Sequence, residues 1–379
     1  MTTLAIVGTG FVADYYVTTL ANHRELKLAG VFDRDPERLR RFSAHYGLRA
    51  YSSLEDCLSD AAIGIVVNLT SPESHYAVTC AALAAGKHVY CEKPLGMSAE
   101  EVADIAARAE KAGLRVFSAP AHALSDAHAL VARLIAEGRI GTPRLAYAEM
   151  EDGPVFRDNW RDWRSVSGTP WPGVHEFEIG CTLEHAGYGL SWLISLFGPV
   201  EEVQAFSALT FPDKGPGTEG LTLGPDFSVG CLIFGSGVVA RLTCGLAAPR
   251  DRSLTILGDA GTIVVRDLWD HRSPVHLSRF GEKKPFLARL AGWFERRSGR
   301  MLPFRMTEGR VVPYERPSSA RALPAYPSQI DFAAGIAAMA RAIAGESVPA
   351  FGDARARHLT EVSLALSRGA GRVRPTTTF

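Results

Sequence analysis

The 379-residue chain is 46% hydrophobic and 22% charged, an ordinary soluble composition at a length that rarely stays a single core. Lys+Arg and Asp+Glu are both 41, so no global field favours a nucleic-acid partner. No apolar run reaches the roughly 18 residues of a membrane span. The N-terminus lacks the basic stretch of a signal peptide, and the six cysteines contain no CxxC pair, which points to reduced thiols and a cytoplasmic protein.

The chain opens with strand, glycine turn, helix, strand and acid. LAIVG (4–8) is a short apolar run, TGFVADYYVTTLANH follows at helical period, and LKLAGVFDRDPER gives a second apolar run ending at Asp33. The turn reads Gly8-Thr9-Gly10-Phe11-Val12-Ala13, a GxGxxA dinucleotide fingerprint. Gly8 permits the tight turn, Gly10 admits a pyrophosphate to the backbone, and Ala13 keeps helix and strand close. The helix N-terminus supplies N–H groups for the phosphates. Asp33 is placed to accept from a ribose 2′-hydroxyl and to repel a 2′-phosphate, which favours NAD. Arg34 beside it could hold that phosphate, which keeps NADP as the alternative.

Alternation continues through AIGIVVNLTSP, the helix ESHYAVTCAALAAG, the strand KHVYCEKP, the helix SAEEVADIAARAEKAG with a serine N-cap, and the strand LRVFSAPA. This is a doubly wound parallel sheet, expected over residues 1–122. Ligands bind such sheets beyond the carboxyl ends of the strands. Two groups fall there: Thr70-Ser71-Pro72 with His75, and Glu92-Lys93-Pro94. His75 is read either as a cofactor contact or as a helix-start histidine bonded to a loop.

Residues 123–379 change character. NWRDWRSVSGTPWPG concentrates Trp160, Trp163, Trp171, Arg161 and Arg164, side chains suited to sugar faces and anions or to a packed loop. EIGCTLEHAGYGLSWLISLFG (178–198) has helical period, with Glu184, Tyr188, Ser191 and Ser195 on one face and Gly187 and Gly189 inside the run. Each glycine costs about 1 kcal/mol relative to alanine, so something must approach that backbone. His185 lies about 100° off the Glu184 face and reads as structural. His122, His128 and His175 have no ligand-like spacing, and no metal is expected. Successive apolar or alternating runs from PRLAYAEME to PVHLSRF, with an FGSG hairpin signal, predict an open, mostly antiparallel sheet. QIDFAAGIAAMARAIAG and ARARHLTEVSLALSRG are closing helices, the last expected to pack back on the first domain. Residues 282–321 hold ten Lys/Arg against four Glu. They read as a lid for an anionic substrate, a membrane-surface contact, or an insertion covered by a subunit interface.

TSPESH followed by CEKPLG, behind a GxGxxA turn, resembles the glucose–fructose oxidoreductase/inositol dehydrogenase (Gfo/Idh/MocA) family over nearly the whole chain. The resemblance implies an α/β Rossmann domain plus an α+β substrate domain, and an NAD(P)-dependent dehydrogenase acting on a sugar, cyclitol or sugar conjugate. It also implies a homodimer or homotetramer paired through the antiparallel sheet. The lysine that reaches substrate and nicotinamide becomes Lys93, and Pro94 follows a bond that is often cis. The family's D-x-G-x-H-x-x-D helix becomes Glu184, Ala186, Tyr188 and Ser191, departing at all four positions. Tyr188 then replaces the usual histidine, and Trp163-Arg164 match the family's substrate-side WR.

The chemistry agrees with that assignment. Oxidising a secondary alcohol needs a base for the hydroxyl proton while the nicotinamide takes the hydride. A tyrosine of pKa about 10 is a poor base at neutral pH. An ammonium at Lys93 is expected to lower the pKa of Tyr188, Glu184 to orient it or bind a hydroxyl, and the two glycines to leave room for substrate and nicotinamide. The rival functions are an NAD-recycling glycosidase that oxidises, eliminates, hydrates and reduces, and a non-catalytic nucleotide-binding sensor.

Overall fold

A computed structural model of the chain describes residues 1–282, 290, 293–294, 296–298, 309–315, 321–325, 328–348, 351–369 and 371–379. Its first layer alternates β1 (Thr2–Val7), α1 (Ala13–Leu20), β2 (Leu26–Phe32), α2 (Pro36–Tyr46), α3 (Leu54–Ser59), β3 (Ile65–Asn68), α4 (Pro72–Ala84), β4 (His88–Cys91), α5 (Ala99–Ala112) and β5 (Val116–Ser118). The five strands are parallel in the order β2-β1-β3-β4-β5. The order reverses between β1 and β3, where such sheets take their ligand. Both faces are covered, so the strands are continuously apolar. Leu4, Ile6, Ile65 and Val67 face one layer with Tyr16 and Phe42, while Ala5, Val7, Val66 and Val89 face the other with Val102 and Ile105. Ser98 caps α5 as expected, accepting from the Glu101 N–H at 3.2 Å.

The second layer begins with α6 (Asp126–Ala136) and β6 (Pro143–Glu151). Next come α7 (Gly173–Ile179), α8 (Cys181–Phe197), β7 (Val200–Ala208), β8 (Phe227–Phe234), β9 (Val239–Gly245), β10 (Leu254–Gly258), β11 (Gly261–Val265), β12 (Val275–Arg279) and β13 (Arg310–Val311). The chain closes with α9 (Ala334–Ile343), α10 (Asp353–Ser367) and β14 (Arg372–Val373). The nine strands run β13-β12-β11-β10-β6-β9-β8-β7-β14, with only β6 and β9 parallel. Leu190, Leu193 and Phe197 of α8 are buried with Ala148, Leu232, Leu242 and Ile256 of the sheet. On the opposite face Phe206, Ile233 and Val239 stay exposed.

Two readings of the catalytic helix change. The run 178–198 is not one helix: Gly180 breaks it at φ 85°, and a Cβ there would lie 2.9 Å from Pro225. The glycines of α8 do not make room for a ligand. A Cβ on Gly189 would come 2.8 Å from Leu242 and 3.5 Å from Met150, so this glycine seats the helix on the sheet. A Cβ on Gly187 would meet Pro120 at 3.6 Å and Leu359 at 3.7 Å.

The chain also returns to the first sheet earlier than its last helix. Ile336, Ala337 and Met339 of α9 are buried with Tyr16, Tyr90 and Phe117. Further on, α10 packs against α8 and β7 on one side and α5 and β5 on the other. The basic stretch 282–321 lies largely outside the described residues. No helix among the described residues is long and apolar enough to cross a membrane.

Candidate active site

The nucleotide end of the site is built at the carboxyl ends of β1 and β2. Gly8 has φ 97°, and a Cβ on it would lie 2.6 Å from the Leu69 carbonyl, so only glycine fits. A Cβ on Gly10 would meet nothing within 4 Å, so the backbone there faces open space. Val12 starts α1 without a side-chain cap. Open backbone, an uncapped helix N-terminus and an acid after β2 fit a dinucleotide. Phe11 and Val12 are half-buried along the turn.

Asp33 is buried and well bonded. It accepts from the Thr9 N–H at 2.7 Å, the Thr9 hydroxyl at 3.0 Å and the Asp35 N–H at 2.9 Å. The arginine on Asp33 is not Arg34, which is exposed, but Arg38, whose Nε lies 3.0 Å from Oδ2. Asp35 caps α2 and Pro36 starts it, which swings position 38 back toward the acid.

Beyond β3, the Thr70 hydroxyl donates to Asn68 at 2.7 Å, and Ser71 and Pro72 start α4. His75 is fully buried, with Nδ1 2.6 Å from the Pro94 carbonyl and Nε2 3.0 Å from that of Thr70. Both ring nitrogens lie against backbone carbonyls, and the single N–H of the neutral ring, favoured by burial, donates to one of them. His75 therefore ties the two loops together, as the loop-bonded alternative of the two readings expects. Glu92 is likewise committed: Oε1 accepts from Tyr16 at 2.7 Å and Oε2 from the Lys93 N–H at 2.9 Å. The Lys93–Pro94 bond is cis.

These turns aim Lys93 at α8. Its Nζ lies 2.5 Å from Glu184 Oε2 and 5.4 Å from the centre of the Tyr188 ring. Burial works against the Lys93 ammonium, but Glu184, Tyr188 and Glu92 outweigh it and hold its pKa above the ordinary lysine value. Burial likewise works against the Glu184 carboxylate, and Lys93 reverses this, so its pKa is lowered. The expectation for Tyr188 fails. Burial raises its pKa more than Lys93 lowers it, so the phenol stays protonated at neutral pH. Ser191 turns its hydroxyl to the Tyr188 carbonyl at 2.8 Å.

Several members of this centre carry no local sequence signal. Glu176 lies across the Gly180 break. Burial and Glu184 push its carboxyl pKa well up, and Trp171 hydrogen-bonds to it. The Tyr188 ring packs against His122 at 4.8 Å and Trp269 at 4.9 Å. Burial, then Arg252 and Lys93, push His122 down to about 3. His185 Nε2 lies 3.9 Å from Asp152. Arg252 sits 4.3 Å over Trp269, 2.7 Å from Asp267 and 3.7 Å from Asp152. His122 and Trp269 are 147 positions apart in sequence, and the group meets only because the segments before α6, after β6, before β10 and after β11 converge on α7 and α8.

Trp163 and Arg164 make other contacts. Trp163 packs on Trp171 at 5.1 Å, and Arg164 is exposed, donating to the Arg161 and Trp163 carbonyls. No described contact joins either to Lys93, Glu184 or Tyr188. Their loop instead reaches the first domain, where the Ser167 N–H and hydroxyl each donate to Asp14 at 2.9 Å.

Two family models match in order. One, described as an oxidoreductase family with an NAD-binding Rossmann fold, covers residues 2–119, and the GFO/IDH/MocA C-terminal domain covers 128–264. Trans-1,2-dihydrobenzene-1,2-diol dehydrogenase of Mus musculus is 27% identical over 74% of this chain and 78% of its own. An inositol 2-dehydrogenase/D-chiro-inositol 3-dehydrogenase of Lactiplantibacillus plantarum is 28% identical over 50% of this chain and 54% of its own. The WlbA dehydrogenase of Bordetella pertussis, solved with NADH and UDP-GlcNAcA, superposes with a TM-score of 0.71 at 19% identity, covering 99% of this chain and 97% of that one. An aldose-aldose oxidoreductase of Caulobacter crescentus, solved with glycerol, gives 0.71 at 18% identity, covering 99% of both. At these identities the two structures share the fold.

Proposed function

The chain belongs to the Gfo/Idh/MocA family of oxidoreductases, and from that premise we propose that it interconverts a secondary hydroxyl and a ketone on a sugar, cyclitol or sugar conjugate, with NAD as cofactor. The observation that carries this reading is the Lys93–Glu184 pair at the end of β4, 2.5 Å apart and facing Tyr188. The relatives named as diol and inositol dehydrogenases support it from outside the chain.

Gly8, Thr9, Gly10, Phe11, Val12 and Asp33 would hold the dinucleotide, with Thr70, Ser71 and Pro72 beside it. A bound NAD supplies the two-electron acceptor for the alcohol carbon. Lys93 donates a hydrogen bond to the reacting oxygen. Lys93 passes a proton to Glu184, and the nitrogen lone pair this frees takes the hydroxyl proton, so the net proton ends on a carboxylate already in contact. Tyr188, held as a neutral phenol, donates a second hydrogen bond to the same oxygen. In the reverse direction the loaded ammonium returns the proton. Trp163 and Arg164 would act only where a substrate extends beyond the reacting ring.

We assign residues 1–122 to the nucleotide unit and 123–379 to the substrate and assembly unit. A homodimer or homotetramer would cover the outer sheet face around Phe206 and Ile233, in a cytoplasmic protein. The test is a screen of sugars, cyclitols and vicinal diols with NAD, followed at the reduced-nicotinamide absorbance. Stoichiometric NADH with a ketone product supports the reading. Glycoside cleavage with NAD unchanged would replace it with the recycling mechanism.

A further inference from the structure

The wall facing Tyr188 holds polar atoms without partners. His185 Nδ1, Trp269 Nε1 and His122 Nδ1 are buried and make no hydrogen bond, and beside them buried Asp152 Oδ1 faces the Arg252 guanidinium at 3.7 Å without hydrogen-bonding to it. His185, Trp269 and His122 are 4%, 5% and 1% exposed, so bulk solvent does not supply the missing partners. The group is tied together by ring contacts: Trp269 lies 6.0 Å from His185 and 4.9 Å from Tyr188. Orphaned buried donors and acceptors converging on one place mark a site built for a polar ligand.

The charge of the wall selects that ligand. Lys93 is matched by Glu184. Arg252 is shared between Asp267 at 2.7 Å and Asp152 at 3.7 Å, so two carboxylates face one guanidinium. Among these described residues no cation is left over for a substrate carboxylate. Asp152 Oδ1 accepts and Trp269 Nε1 donates, which together match an alcohol group, at once donor and acceptor. A carboxylate in the same place would oppose Asp152 in a like-charge contact and leave its own oxygens short of donors.

We infer that Asp152, His185 and Trp269 are specificity-determining residues that hold hydroxyls of an uncharged polyol ring opposite Lys93, and that the site rejects the corresponding uronic acids. This rests on the proposed function for the identity of the reacting centre, but its test is a binding measurement. The NAD-loaded protein is titrated calorimetrically with matched pairs, D-glucose and D-glucuronate, D-galactose and D-galacturonate, together with myo-inositol. The account expects at least one neutral ligand to bind and to exceed its uronate by about tenfold or more. Asp152→Asn, which keeps shape and removes charge, should shrink that ratio to about threefold. If that variant does not fold, Trp269→Phe keeps the ring and removes the N–H, and should weaken neutral ligands about three- to tenfold. A uronate that binds as well as its neutral partner, or a panel in which nothing binds, overturns the inference. Neutral binding with the stated preference but no NADH formed would sustain it and count against the redox reading alone.

Discussion

Lys93 Nζ and Glu184 Oε2 form an ion pair of 2.5 Å whose side chains are 11% and 12% exposed. Glu184 therefore does more than orient a neighbour. Removing the carboxylate leaves a buried ammonium without its counter-charge, at a cost of about 3–5 kcal/mol. Glu184→Gln should lower kcat by about 10²–10⁴-fold. Burial would then govern Lys93, so its pKa should fall and the alkaline limb of the pH–rate profile should move to lower pH. The stability signs follow from the two shifts. The lowered Glu184 pKa contributes stability present above the unfolded carboxylate value and lost as pH falls through the folded one. The raised Lys93 pKa contributes stability present below the unfolded lysine value and lost as pH rises through the folded one. The melting-temperature deficit of Glu184→Gln should thus be largest from about pH 5 to 10 and shrink in acid.

Gly8 and Gly10 separate folding from binding within one turn. Gly8→Ala drives a Cβ into the Leu69 carbonyl at a positive φ and should destabilise the fold, read as a lowered melting temperature. Gly10→Ala meets no protein atom within 4 Å and should melt like the wild type while binding NAD at least about tenfold more weakly. Equal NAD affinity in Gly10→Ala would remove that backbone from the cofactor site.

Cofactor choice turns on Asp33 and Arg38. The wild type should bind NAD more tightly than NADP. Asp33→Ala frees Arg38 from its 3.0 Å contact and should raise NADP affinity relative to NAD, by about tenfold. Arg34→Ala, at an exposed position, should leave the ratio within about twofold. A larger response at Arg34 than at Arg38 would restore the neighbouring arginine as the reader.

Tyr188→Phe keeps the ring contacts with His122 and Trp269 and removes the phenol oxygen. Because the phenol is held protonated, its loss should cost a hydrogen bond in the transition state, about 10–100-fold in kcat. The pH–rate profile should keep its shape. A lost ionisation in that profile would return Tyr188 to the role of base.

The first sheet was legible because its signals are local. Glycine spacing, strand length and an acid after β2 sit within about 30 residues. The Ser98 cap and the outline of the second sheet were legible for the same reason. The pairing of Lys93 with Glu184 was not legible: the resemblance set Lys93 against Tyr188 and left Glu184 to the tyrosine or a substrate hydroxyl, and 91 positions separate the two partners. The sign of the Tyr188 shift was not readable, because burial depends on residues such as Trp269 and His122 brought in from distant segments. Gly187 and Gly189 were misread for a related reason. A helix pattern shows that something lies close but not whether it is a ligand or Leu242. Arg38 was missed because the start of α2 at Pro36 decides which arginine turns back to Asp33.

The central claim is that Lys93 conducts the hydroxyl proton, and Lys93→Met tests it most directly. The measurement is kcat on any secondary alcohol the wild type oxidises, alongside calorimetric NAD affinity and a melting curve on the same preparation. The account predicts NAD affinity within about threefold of wild type, a lowered melting temperature from the unpaired Glu184, and kcat reduced by at least about 10³-fold. A Lys93→Met protein that binds NAD and turns over within about twofold of wild type would contradict it.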